Sequence, residues 1–243
     1  MTPVTSLSAG AVEASPGLTA WESAYRRFET PEQEVRKFMR RLRVMGVSSI
    51  GKNRKIVELF CGRGNGLVAL SNLGFVQIEG VDLSGALLSQ YSGAARCHVA
   101  DCRNLPFDDH SREVIIIQGG LHHLHSASGD LDRCMREIRR VLTVDGRLLI
   151  VEPWLTPFLS LVHAVCRQTW IRRLIPKIDA LATMIDHESE TYFEWLTRPT
   201  EILMTLDRHF FAEKLRCSWG KLMFLGRPRC DASLRGGGAF HAR

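Results

Sequence analysis

The chain has 243 residues, 45% apolar and 24% charged, a composition that excludes disordered, collagen-like and multi-span membrane proteins. Its formal charge of +6 invites a polyanionic partner, yet many of the basic residues lie between Arg26 and Arg43, interleaved with Glu29, Glu32 and Glu34, the pattern of a solvated helix face. The seven cysteines, at 61, 97, 102, 134, 166, 217 and 230, are odd in number and never spaced Cys-x-x-Cys, which points to a reducing compartment.

Residues 1–17 are rich in Ser, Thr, Pro and Gly and read as a flexible arm, without the basic start and apolar run of a secretory signal. A cytoplasmic location is therefore expected. Helices are expected over 19–28 and 31–45, the second capped by Thr30 with Pro31 at its first position. Val35, Phe38, Met39 and Leu42 then share one face, directed at the main domain. From residue 55 onward apolar runs alternate with helical patterns, as in parallel βαβ units. Strands are predicted over 55–60, 76–82, 96–100, 114–118 and 147–152, and helices over 65–73, 85–92 and 130–142. Asp145-Gly146 reads as a turn before the fifth strand, and Gly220 as the turn of an antiparallel hairpin over 215–225. The segment 154–210 is far longer than a connection needs and is assigned as a helical cap inserted in a domain over 18–230, followed by a flexible tail over 231–243.

Chemistry concentrates at the ends of these strands. The first opens through Glu58, Phe60, Cys61, Gly62, Gly64 and Gly66 into a helix, where glycines admit a ligand to the backbone and the helix N-terminus favours an anion. The second ends in Asp82, about twenty residues on, as a carboxylate that accepts both hydroxyl protons of a ribose would. The third ends in Asp101, an acceptor for an exocyclic amino group. Each acid alone reads equally well as a turn or helix cap.

Taken in order, Glu58-x-x-Cys61-Gly62-x-Gly64, Val81-Asp82-Leu83-Ser84, Asp101-x-x-x-Leu105-Pro106-Phe107 and Leu121-His122-His123-Leu124 resemble the class I S-adenosylmethionine-dependent methyltransferases of the small-molecule type, over residues 55–153. The resemblance implies a Rossmann-like α/β fold, a doubly wound seven-stranded sheet with an N-terminal helical addition and the helical cap. It implies S-adenosylmethionine as cofactor, with Glu58, Gly62, Gly64 and Gln118 at its methionine portion, Asp82 at the ribose, and Leu83, Asp101 and the Cys102 backbone at the adenine. Two departures stand out: Phe60, where the family commonly has glycine, narrows the pocket, and Arg112-Glu113 replaces a Phe-Asp pair.

For the acceptor, His122, His123 and His125 follow the fourth strand, where an imidazole of pKa about 6.5 can serve as base. His187, in Asp186-His187-Glu188-Ser189-Glu190-Thr191-Tyr192, is the alternative base, with Glu188 or Glu190 orienting it. Glu152 faces the acceptor or caps a turn. His122 and His125 lack further ligands at a recognisable spacing, so no metal is expected. The favoured function is methylation of a small molecule, mainly O-methylation of a metabolite, sugar or lipid-linked acceptor. The alternatives are an RNA methyltransferase, weakened by Gln118-Gly119-Gly120-Leu121 after the fourth strand, and a non-catalytic methyltransferase-like binding subunit. In the cap, Trp154, Phe158, Leu161, Val162, Val165, Trp170 and Ile171 fall near helical spacing with Arg167, Arg172, Arg173 and Lys177. Core packing explains them first, and contact with a membrane or a lipid-linked acceptor second.

Overall fold

The computed structural model describes residues 16–124 and 129–229. Most of the expected arm, His125, Cys230 and the expected tail lie outside the described residues. Five strands, β1 (Lys55–Leu59), β2 (Gln77–Asp82), β3 (Arg96–Val99), β4 (Arg112–Gln118) and β5 (Leu142–Pro153), run parallel. The hairpin β6 (Phe210–Ser218) and β7 (Lys221–Pro228) adds antiparallel to β5, giving the order β3-β2-β1-β4-β5-β7-β6. Central strands covered on both faces need continuous apolar runs rather than alternation. Ile115, Ile116 and Ile117 of β4 meet that need, all at 1% exposure or less. The order reverses between β1 and β4, so a crevice opens beyond the carboxyl ends of these two strands, where ligands of such sheets bind.

Helices α3 (Asn65–Asn72), α4 (Gly85–Leu88) and α5 (Gly129–Val141) connect the parallel strands. α4 is half the length expected, and β5 begins earlier than residue 147. Leu142 already pairs with Arg112, while the next pair is Arg147 with Val114, so Asp145-Gly146 sits in a bulge inside β5 rather than before it. The β6–β7 turn is Trp219-Gly220, with φ of 52° and 73°, the double left-handed geometry of a tight hairpin.

Before the sheet stand α1 (Pro16–Phe28), which starts inside the expected arm, and α2 (Pro31–Met45). The Thr30 side chain accepts from the Gln33 N–H at 3.3 Å and the Gln33 side chain accepts from the Thr30 N–H at 3.2 Å, a reciprocal cap. α2 buries Phe38 and Leu42 as expected, together with Met45 and Glu34, and packs on α3.

The cap consists of α6 (Pro157–Cys166), α7 (Thr169–Leu174), α8 (Pro176–His187), α9 (Ser189–Thr197) and α10 (Pro199–His209). Pro157, Pro176 and Pro199 each occupy a first turn, where the missing N–H costs nothing. Thr156 fastens the cap to the sheet, its hydroxyl accepting from Leu159 N–H and from Gly220 N–H at 3.0 Å in the hairpin turn. Trp195 adds a second tie, its indole N–H donating to the Pro153 carbonyl at 2.8 Å. α1 packs along α8, so the N-terminal helices close over the crevice from the cap side. Core packing accounts for Trp154 but not for Phe158, Leu161 and Trp170, which stay exposed. No helix among the described residues is long and apolar enough to cross a membrane.

Candidate functional site

A cleft of about 660 Å³ occupies the crevice, within the range that holds a cofactor or drug-sized ligand. The ends of β1, β2, β4 and β5 form its floor, and α1, α2 and α8 its walls. Of the residues expected at the cofactor, Glu58, Gly62, Asp82 and Gln118 line it. Gly64 caps α3 with φ of 80°.

Glu58 is the most telling. It is 2% exposed, and burial pushes its carboxyl up to about 8 despite a weak hydrogen bond from Gln118 at 3.5 Å. Its Oε2 and the Gln118 Oε1 are buried acceptors with no donor among the described residues. Such orphans are costly, and here two of them face one cleft. Gly66 is required beside them, because a Cβ there would lie 1.9 Å from Glu58 Oε1. Asp82 accepts from Gly62 N–H at 2.7 Å and Ser84 N–H at 2.8 Å, one bond per carboxylate oxygen, which leaves each oxygen a lone pair for a ligand.

Phe60 also lines the cleft and has φ of 56°, which explains why glycine is common at this position. A side chain held there costs about 1–2 kcal/mol. Room for its ring comes from Gly120, where a Cβ would lie 2.2 Å from Phe60 Cγ.

Leu83, Asp101 and Cys102 are not among the residues that line the cleft. Leu83 is 71% exposed and outside the cleft lining. Asp101 is clamped by Arg103, whose Nε and guanidinium NH2 bond both carboxylate oxygens, so its acceptor capacity is largely spent locally. The Arg103 hydrogen bonds, outweighing burial, hold Asp101 below the ordinary carboxylate range. The Cys102 side chain is buried in the core.

A second cluster in the cleft is built around His122. Its Nδ1 bonds Glu152 Oε2 at 2.8 Å, and its Nε2 lies 3.7 Å from Glu188 Oε2. Glu152 is fully buried, and its other oxygen accepts from Gly120 N–H at 2.7 Å and Leu121 N–H at 2.9 Å. It therefore both caps the turn after β4 and fixes the imidazole. Burial by itself would lower the His122 pKa; the hydrogen bonds and charges of Glu152 and Glu188 outweigh it and raise it to about 9. The His123 ring lies tilted against that of His122, with ring centres 4.2 Å apart, and opens onto the cleft. Burial, then the charge of His122, pushes its pKa below the ordinary histidine value, leaving a neutral base beside a charged acid. Tyr192 also lines the cleft, its hydroxyl bonded to His163 Nε2 at 3.0 Å.

His187 does not join them. The cleft face of α8 carries Lys177, Leu181, Met184 and Ile185, Glu188 follows directly past the end of the helix, and His187 is exposed to solvent away from the cleft. Glu188, expected to orient His187, serves His122 instead. His122, His123 and Glu188 bring their ligand atoms within 4.8 Å of one another, supplying the carboxylate that sequence spacing lacked for a metal. A carboxylate faces each nitrogen of His122. Tyr192 belongs to the 186–192 cluster singled out from sequence, whereas sequence reasoning missed Glu34 as a cleft residue, and Arg63, which pairs with Glu22 at 3.0 Å beside the glycine loop.

Residues 57–150 match the methyltransferase domain family model. A ubiquinone/menaquinone biosynthesis C-methyltransferase of Citrifermentans bemidjiense is 30% identical over 155 residues, 57% of this chain and 62% of the relative, so the match spans under two thirds of that protein. Among solved structures, a protein of Pyrococcus horikoshii superposes over 86% of this chain and 98% of its own, with TM-score 0.63 and 16% identity. The geranyl diphosphate C-methyltransferase of Streptomyces coelicolor does so over 74% and 72%, with TM-score 0.52 and 15% identity. At these identities the structural likeness concerns the fold.

Proposed function

The chain carries a methyltransferase domain of the class I, S-adenosylmethionine-dependent fold, and from that premise we propose that it methylates a small hydroxylated acceptor. The observation that carries the reading is the single cleft in which two orphaned acceptors, Glu58 and Gln118, face the Glu152–His122–Glu188 network and His123. S-adenosylmethionine supplies an electrophilic methyl on a sulfonium. Glu58 and Gln118 suit its amino group, the glycine loop its close approach to backbone, and Asp82 its ribose hydroxyls.

The chain's own residues then act on the acceptor. His123, neutral at pH 7, takes the acceptor's hydroxyl proton as the methyl bond forms, and the oxygen, or a ring carbon activated by it, becomes the nucleophile. His122, charged and locked by Glu152, keeps His123 neutral and donates toward Glu188 or the acceptor. The relative's printed name favours carbon over the oxygen expected from sequence. Both outcomes use the same base.

The test is transfer of labelled methyl from S-adenosylmethionine to a panel of phenols, quinols and hydroxylated metabolites. His123→Gln should lower kcat about 10²–10⁴-fold with little change in cofactor affinity. The wild-type rate should rise with pH through a value below the ordinary histidine range, as His123 loses its proton, and fall near pH 9, as His122 loses its own. A His123→Gln variant with wild-type kcat and pH profile removes His123 as the base.

A further inference from the structure

The same cleft has a charged corner that the proposed chemistry leaves unused. Lys37 and Arg41, four residues apart on α2, and Lys221, the first residue of β7, all line it. Lys221 pairs in register with Pro153, next to Glu152, so the corner adjoins the acceptor end rather than the glycine loop. The neighbouring acids are already engaged. Glu29 holds Lys37, Glu34 holds the Tyr25 hydroxyl and the Asn65 amide, and Glu152 holds His122. Arg41 makes no hydrogen bond or ion pair with any described residue; its guanidinium lies 5.6 Å from the Phe38 ring centre. Lys221 likewise has no partner among the described residues. Cations withdrawn from bulk water are ordinarily paired, because unpaired burial is costly. Here burial, then the charges of Arg41 and Lys37, depresses the Lys221 ammonium to about 7, with Glu152 and Glu29 opposing the shift.

We infer that Lys221 and Arg41, with Lys37 behind them, form a subsite for an anionic group, a carboxylate or phosphate, carried by the methyl acceptor. An anion there would satisfy both free cations at once, with Arg41 offering a planar fork and Lys221 a point charge. It would also orient the acceptor, tethering one end at α2 and β7 while the other meets His123. Calling the ligand the acceptor rests on the proposed methyl transfer. The anion subsite itself does not.

The experiment is calorimetric titration of inorganic pyrophosphate and of benzoate into the protein, alone and saturated with S-adenosylhomocysteine. It compares wild type with Lys221→Met, Arg41→Gln and the charge-keeping Lys221→Arg. At least one anion should bind the wild-type complex, about tenfold or more weaker in Lys221→Met and Arg41→Gln and recovered in Lys221→Arg, with S-adenosylhomocysteine affinity within about twofold throughout. Anion binding that is absent, or indifferent to both substitutions, overturns the subsite. A parallel loss of S-adenosylhomocysteine affinity also overturns it, because the cations then hold the cofactor's carboxylate. If S-adenosylhomocysteine binds no version yet anion binding still depends on Lys221, the subsite stands and the methyl-transfer reading fails.

Discussion

At Glu58 a single carboxyl links burial to ligand choice. Its raised pKa means that the folded, ligand-free protein prefers it protonated, so ionising it costs stability as pH rises from about 4.5, the unfolded value, through about 8. A cationic amino group beside Oε2 reverses that preference. Binding of S-adenosylmethionine at pH 7 should therefore release close to one proton, read from calorimetry in buffers of different ionisation enthalpy. Glu58→Gln should release none and bind more weakly. Proton release that is unchanged in that variant would assign it to another group. Lys221, which ionises near the same pH, is separated by repeating the measurement in Lys221→Met.

The β1–α3 loop shows how an element turns such a residue into a site. Gly66 sits in the first turn of α3 directly against the Glu58 carboxylate, the movable end of a side chain. Gly66→Ala should therefore displace Glu58 rather than unfold the domain. Cofactor affinity should fall about tenfold or more while Tm moves by only a few degrees, checked by titration and thermal melts on the same sample. A large Tm loss with intact affinity would show that the loop, not the carboxylate, yields. This loop was legible in the sequence because its signals are local: an apolar strand, spaced glycines and an acid at the next strand end. The strands were legible for the same reason, apart from the bulge in β5, where Leu142 resumes pairing before the Asp145-Gly146 turn. Glu188 meeting His122 was not legible, because it depends on where α8 ends and how the cap seats that end against the turn after β4. Asp101 carries a second demand that the strand pattern does not show. A strand-end acid satisfies the pattern of a ligand contact, while Arg103, two residues on, competes for the same oxygens.

Across the molecule, the cleft has walls from three separately packed parts. The sheet supplies Glu58, Asp82 and Gln118, the cap supplies Glu188 and Tyr192, and the N-terminal helices supply Tyr25, Glu34 and Arg41. α1 rests on α8 and α2 on α3, so the N-terminal pair bridges cap and sheet. A ligand touching all three should draw them together in one cooperative unit, since whatever binds the native state adds RT ln(1 + [L]/Kd) to its stability. At a hundredfold excess over Kd that is about 2.7 kcal/mol, and for a domain of this size about 5–11 °C in Tm. The same saturation with S-adenosylhomocysteine should slow hydrogen exchange in α1, α2 and α8 along with the β1–α3 loop. If protection appears at the loop alone, the helices are a passive roof and the cofactor is held by the sheet. If it extends to α1 and α8, cofactor binding assembles the wall that carries Glu188, and acceptor binding should follow cofactor binding in order.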